Sequence, residues 1–68
     1  MLPYPLTPRE LHIVKMIGRG RSDEEIAASL AATEAVVAEY IRTILLKLQL
    51  ATRAEVALYA KREGLTGE

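Results

Sequence analysis

The sequence predicts an all-α domain of four short helices, over residues 8–18, 23–31, 34–48 and 53–63, and three observations carry that expectation. A hydroxyl followed three residues later by Glu occurs at Thr7 with Glu10, Ser22 with Glu25 and Thr52 with Glu55; each pair can cap a helix start reciprocally. After these starts, apolar residues recur at spacings of three and four, the period of one helix face. Half of the 68 residues are hydrophobic but only 4% are aromatic, all of them Tyr. A core of Leu, Ile, Val and Ala favours helices over sheets.

The elements follow in order. Residues 1–6 form an extended lead with prolines at positions 3 and 5, and residues 7–66 form a single domain. Thr7-Pro8-Arg9-Glu10 sets the hydroxyl at the N-cap, Pro at the first helical position, where its missing N–H costs nothing, and Glu at the third. The first helix then carries Leu11, Val14 and Ile17 on one face, and Gly18 and Gly20 end it. Ser22-Asp23-Glu24-Glu25 opens the second, with acids where the helix dipole favours them; its apolar residues are Ile26, Ala27 and Leu30. Thr33 caps the third, whose Val37, Ile41, Ile44 and Leu48 form a stripe facing the core. Thr52-Arg53-Ala54-Glu55 opens the fourth, which continues through Ala57, Leu58 and Ala60 to Gly64.

Composition excludes most chemistry. With no Cys and one His, His12, the chain has no disulfide, no thiolate zinc site and too few ligands for a catalytic metal. Glu24 and Glu25 are adjacent on a helix and diverge by about 100°, so they form no catalytic dyad. No nucleophile has a base, no Gly-rich phosphate loop is present, and so small a domain has little volume from which to exclude water. We expect no enzyme, no cofactor and no small-molecule site. No apolar run approaches the length that spans a bilayer and no leader pattern opens the chain, so a soluble, cytoplasmic protein is expected.

Charge is balanced overall, nine Lys plus Arg against nine Asp plus Glu, which gives no bulk attraction to nucleic acid or to an anionic membrane. Its distribution is uneven. Residues 9–21 hold four cations and one acid, residues 22–34 four acids and no cation, and residues 42–62 five cations and one acid. The surface is therefore expected to be polarised.

The link between the second and third helices is about three residues, the length of a helix-turn-helix. In that geometry the third helix can enter a DNA major groove while helix ends face phosphates. A plain helical bundle fits the same spacing.

Resemblance separates the two. Leu6-Thr7-Pro8-Arg9-Glu10-Leu11, Glu25-Ile26-Ala27, Leu30, Thr33-Glu34, Val37, Tyr40, Ile44, Lys47-Leu48, Arg53-Ala54-Glu55, Tyr59-Ala60 and Arg62-Glu63-Gly64-Leu65 together resemble the LuxR/FixJ/GerE-type helix-turn-helix domain, over residues 6–66 without a gap. The resemblance implies a four-helix domain that binds double-stranded DNA, with the third helix in the major groove. Such domains often dimerise through the fourth helix and usually regulate transcription in bacteria.

Carried over residue by residue, the resemblance places Ala38, Glu39, Arg42 and Thr43 on the reading face, with Tyr40 beside them. Arg42 suits DNA, although an exposed helix Arg can also be merely solvated. Ala38 stands where relatives often have Lys or Arg, Glu39 would face negative DNA, and Asp23 and Glu24 stand where relatives often contact phosphate. Each lost phosphate contact lowers affinity and flattens its salt dependence. Ala31 and Gln49 replace common glycines, and holding a side chain at positive φ costs roughly 1 kcal/mol.

The remaining candidates each have a plainer reading. Lys47 can contact DNA or simply answer the dipole in the last turn of its helix. Arg19 and Arg21 flank Gly20 as a phosphate clamp or as ordinary loop residues. Thr33 is a cap whose neighbouring amides could also hold a phosphate. Tyr40 is expected to be half-buried packing, His12 to be exposed and without a partner, and Arg53 and Glu10 to pair, joining the starts of helices four and one. Leu46, Leu58, Tyr59 and Arg62 are expected at a dimer interface; alternatively, helix four packs its apolar residues inward.

The leading expectation is a sequence-specific duplex-DNA-binding transcriptional regulator acting as a homodimer. The alternative is a protein-interaction module on the same scaffold, weak in DNA binding, that acts on another regulator or on the transcription machinery. The effector half of a response regulator is a third possibility, against which the short lead argues.

Overall fold

A computed structural model describes residues 5–66. They form α1 (Pro8–Gly18), α2 (Asp23–Leu30), α3 (Glu34–Leu48) and α4 (Arg53–Arg62), with no strand among the described residues. Of the extended lead, residues 1–4 lie outside that range. α2 and α4 each stop one residue short of the expected end.

All three capping boxes form. Thr7, Ser22 and Thr52 each accept from the amide three residues on, and Glu10, Glu25 and Glu55 return to the cap amides at 2.8, 2.9 and 3.0 Å. Thr33 caps α3 alone, its Oγ1 accepting from the Val36 amide at 3.2 Å. Four orphan amides at each helix start need such acceptors.

The four helices also end alike. A residue with positive φ follows each: Gly20 at 78°, Ala31 at 53°, Gln49 at 57° and Gly64 at 69°. The next amide then reaches back five residues, from Arg21 to Met16, Ala32 to Ala27, Leu50 to Leu45 and Leu65 to Ala60, at 2.8 to 3.0 Å. This is the Schellman closure, and it prefers Gly. Ala31 and Gln49 keep the turn and bear the strain of a Cβ in left-handed backbone.

Inside lie Ile13, Val14 and Ile17 of α1, Ile26 and Ala27 of α2, Val37, Ile44 and Leu48 of α3, and Val56 and Ala60 of α4. The expected α3 stripe faces the core, with Ile41 half-buried. On α1 the buried arc is wider than expected and takes in Ile13, whereas Leu11 is only half-buried. α1 packs against both α4 and α3, so one apolar stripe would not cover its contacts. On α4 the buried residues are Val56 and Ala60, Ala57 is half-buried, and Leu58 points outward, 64% exposed.

α1 packs most extensively on α4, and α2 on α3. The first contact depends on Gly18. A Cβ there would lie 2.7 Å from Ala60 Cβ and 2.8 Å from Thr66 Cγ2, inside van der Waals contact. Gly18 therefore allows close helix approach; Gly20, with its positive φ, supplies the turn.

Candidate nucleic-acid interface

The core side of α3 determines its outer side. Turning about 100° per residue, Val37, Ile44 and Leu48 point inward, and the opposite pole carries Ala35, Glu39, Arg42 and Leu46, all exposed. Ala38 and Thr43 flank this pole and are exposed as well. Val36, Glu39, Tyr40 and Thr43 line a shallow, open depression of about 240 Å³ along the first half of the helix. Tyr40 is half-buried and packs against the core. Thr43 donates its hydroxyl to the Glu39 carbonyl at 3.2 Å. Ala38, Glu39, Arg42 and Thr43 thus lie on the exposed face of α3, with Tyr40 half-buried at its edge, and two residues not singled out from sequence, Ala35 and Val36, are exposed there too. Extending the outward period through the whole helix would have found them.

The cations divide into two groups. Lys47 Nζ donates to Glu10 Oε1 at 2.7 Å and to the Pro5 carbonyl at 3.4 Å, and its side chain is 22% exposed. Arg19 Nε donates to the Thr66 carbonyl at 2.7 Å, which draws it toward the end of the chain. Arg21 faces Glu25 at 3.8 Å in an exposed pair worth little in water. Arg53 binds the Asp23 carboxylate through Nη1 and the Arg21 carbonyl through Nη2 at 2.6 Å. Among the described residues, Arg9, Lys15, Arg42, Lys61 and Arg62 have no ion pair or side-chain hydrogen bond.

These contacts correct one expectation. Glu10 does not pair with Arg53; it pairs with Lys47, so the link runs from the start of α1 to the end of α3, while Arg53 ties the start of α4 to that of α2. Sequence spacing could not choose among these partners, which lie 30 to 37 residues apart in the chain. Burial pushes the Glu10 carboxyl up, but the Lys47 ammonium and the Thr7 amide outweigh it, leaving the pKa below the ordinary 4.5. Glu25 is also lowered, chiefly by the Ser22 amide, against a small opposing effect of burial.

His12 is exposed as expected but has a partner, with Nε2 3.2 Å from Ser29 Oγ; Ser29 also donates to the Ile26 carbonyl at 2.8 Å. Of the expected interface residues, Leu46 is 74% and Leu58 64% exposed. Arg62 is exposed, and Tyr59 is half-buried against the core. Leu58 and Leu46 therefore do not pack inward. Among the described residues, no cluster of His, Asp and Glu could hold a metal ion, and no helix is long and apolar enough to cross a membrane.

Residues 4–60 match the GerE family, described as bacterial regulatory proteins, luxR family. The chain belongs to the LuxR family. Its all-α helix-turn-helix architecture is the one expected from the residues that carried the resemblance. It is 40% identical over 65 residues to the uncharacterized transcriptional regulatory protein YhcZ of Bacillus subtilis (strain 168), covering 96% of this chain and 30% of that protein. The transcriptional regulatory protein LiaR of the same organism is 40% identical over 65 residues, covering 94% of this chain and 31% of LiaR. The nitrate/nitrite response regulator protein NarL of Escherichia coli (strain K12) is 38% identical over 58 residues, covering 85% and 27%. This LuxR-family chain thus spans under a third of the length of these relatives, which are named as regulators rather than enzymes.

Proposed function

We propose that this LuxR-family chain binds duplex DNA sequence-specifically in the cytoplasm of a bacterium and regulates transcription, with α3 in the major groove and two copies joined through α4. The observation that supports this most is the outer side of α3, where Arg42 stands among Ala38, Glu39, Tyr40 and Thr43 without a partner among the described residues. The start of α3 adds backbone amides beside Thr33, a setting that favours phosphate oxygens. Leu58, exposed on α4 beside Tyr59 and Arg62, is the proposed centre of the dimer contact, with Leu46 contributing from α3.

Anisotropy of a labelled random duplex at low salt tests the reading. Binding is expected, Arg42→Ala weakens it, and the dependence of log K on log salt flattens by roughly one phosphate contact. Absence of binding at about 100 µM protein, the weak end of nonspecific affinities, refutes it. Sedimentation of the wild type and Leu58→Glu tests the dimer: the reading requires self-association that the substitution abolishes.

The second reading is a protein-interaction module with weak DNA binding. Zero net charge, Asp23 and Glu24 at the start of α2, Glu39 on the outer pole of α3 and the exposed Leu46 favour it. Glu39→Lys separates the two: it tightens nonspecific DNA binding under the first and disrupts partner binding under the second.

A further inference from the structure

Glu39 is the one acid on the outward pole of α3, and its position makes a demand on any duplex that α3 enters. Its neighbours on that pole are Ala35, Arg42 and Leu46, and it also lines the depression with Val36, Tyr40 and Thr43. No cation lies within 4.0 Å of its carboxylate among the described residues. A carboxylate brought against DNA in this state is repelled by phosphates and loses water, so it needs a hydrogen-bond donor from the duplex.

Only two base edges in the major groove offer one, the N4 amine of cytosine and the N6 amine of adenine. Adenine also presents the N7 acceptor beside its amine, which repels the second carboxylate oxygen. Guanine O6 and N7 and thymine O4 are acceptors and repel both. Of the two, cytosine offers its amine with no acceptor elsewhere on its own major-groove edge. Arg42 stands three residues on, about 4.5 Å further along α3, and residues three apart on a zinc-finger helix angled into the major groove contact successive bases. The two side chains therefore reach the same base pair or neighbouring ones, and Arg42 suits the two acceptors of guanine.

We propose that Glu39 is a specificity-determining residue that selects cytosine in the target site, with the guanine read by Arg42 in the same or the adjacent base pair. This rests on the duplex-binding reading above and adds the base that the site must contain. The acid that weakens general attraction to DNA thereby becomes a source of discrimination. Guanine or thymine there leaves the carboxylate without a donor, and adenine offers one only beside a repelling acceptor.

Selection from a random duplex library, followed by affinity measurements on single-base variants of the enriched site, tests the proposal. Wild type is expected to prefer cytosine at one position by about tenfold. Glu39→Gln is expected to move that preference to adenine, because an amide matches both N6 and N7, and Glu39→Ala to erase it while leaving other positions intact. Both variants also remove a negative charge and tighten nonspecific binding, so the informative readout is the identity of the base. Glu39 is exposed, and helical circular dichroism verifies that both variants are folded. An enriched site whose bases do not respond to either substitution overturns the proposal alone, as does a wild-type site without cytosine; binding without sequence preference overturns both the proposal and the sequence-specific part of the functional reading. Failure of the wild type to bind any duplex overturns the functional reading, and this proposal with it.

Discussion

Replacing Lys47 with Met removes one half of the most buried ion pair among the described residues while keeping the length and apolar stem of the side chain. The Glu10 carboxylate is 5% exposed at its side chain and accepts from Lys47 Nζ at 2.7 Å and from the Thr7 amide at 2.8 Å. Without Lys47 a buried charge keeps one of its two donors. Breaking a buried pair in this way costs about 3 to 5 kcal/mol. Lys47 is itself 22% exposed and water can reach the gap, so the lower end, about 3 kcal/mol, applies. A domain of this size has about 3 to 10 kcal/mol in all, and its melting temperature should fall by about 12 to 24 °C.

Thermal unfolding followed by circular dichroism, run between pH 3 and 7, measures the effect. Wild-type Glu10 has a lowered folded pKa, so its contribution is complete above about 4.5 and is lost as pH falls through the folded value. In Lys47→Met, burial pushes the carboxyl up with less to oppose it, so the variant is penalised most at pH 7 and the gap to wild type narrows on acidification. Adding Glu10→Gln removes the stranded charge, keeps an acceptor for the Thr7 amide, and should restore the double variant to within about 1 kcal/mol of wild type. A melting temperature lowered by under about 4 °C, or a gap that does not change with pH, refutes the assignment.

Three further outcomes are expected. Gly18→Ala gains about 1 kcal/mol in helix propensity but drives a methyl to 2.7 Å from Ala60 Cβ, which rotation cannot relieve; overpacking of about 1 to 3 kcal/mol should exceed the gain, and a midpoint in urea equal to or above that of wild type argues against the close approach of α1 to α4. Ala31→Gly relieves left-handed strain at an exposed residue at the cost of a looser unfolded chain, for a net gain of about 0.5 kcal/mol; a lower urea midpoint contradicts the strained turn. Asp23→Asn breaks the partly exposed pair with Arg53, which keeps its bond to the Arg21 carbonyl, so stability should drop by under about 1 kcal/mol; a loss well above that contradicts its reading as a weak surface pair.

Local chemistry was legible in the chain; pairing at a distance was not. The helix starts could be read because Thr7, Ser22, Thr33 and Thr52 act within four residues of themselves, and the boundaries of α1 and α3 fall where the caps place them. The α3 core stripe followed from helical period, and the same period implied its exposed side. α4 was read less well: Ala57, Leu58 and Ala60 outlined an apolar run, but its burial falls on Val56 and Ala60. A short helix with mixed spacing has no unique inner face until a neighbour covers one. Gly18 and Gly20 looked like one stop signal, and packing against Ala60 gave the first a different role from the second.

Charge shows the same division more sharply. Nine cations and nine acids can be counted from the chain, but which of them find partners depends on where four helices meet. Glu10 takes Lys47 and Asp23 takes Arg53 because tertiary packing brings the start of α1 beside the end of α3, and the start of α2 beside that of α4. Capping and periodicity act over a few residues and leave a local signature in sequence. Ion pairing needs only proximity in space, and chain closure can supply that between residues of any separation.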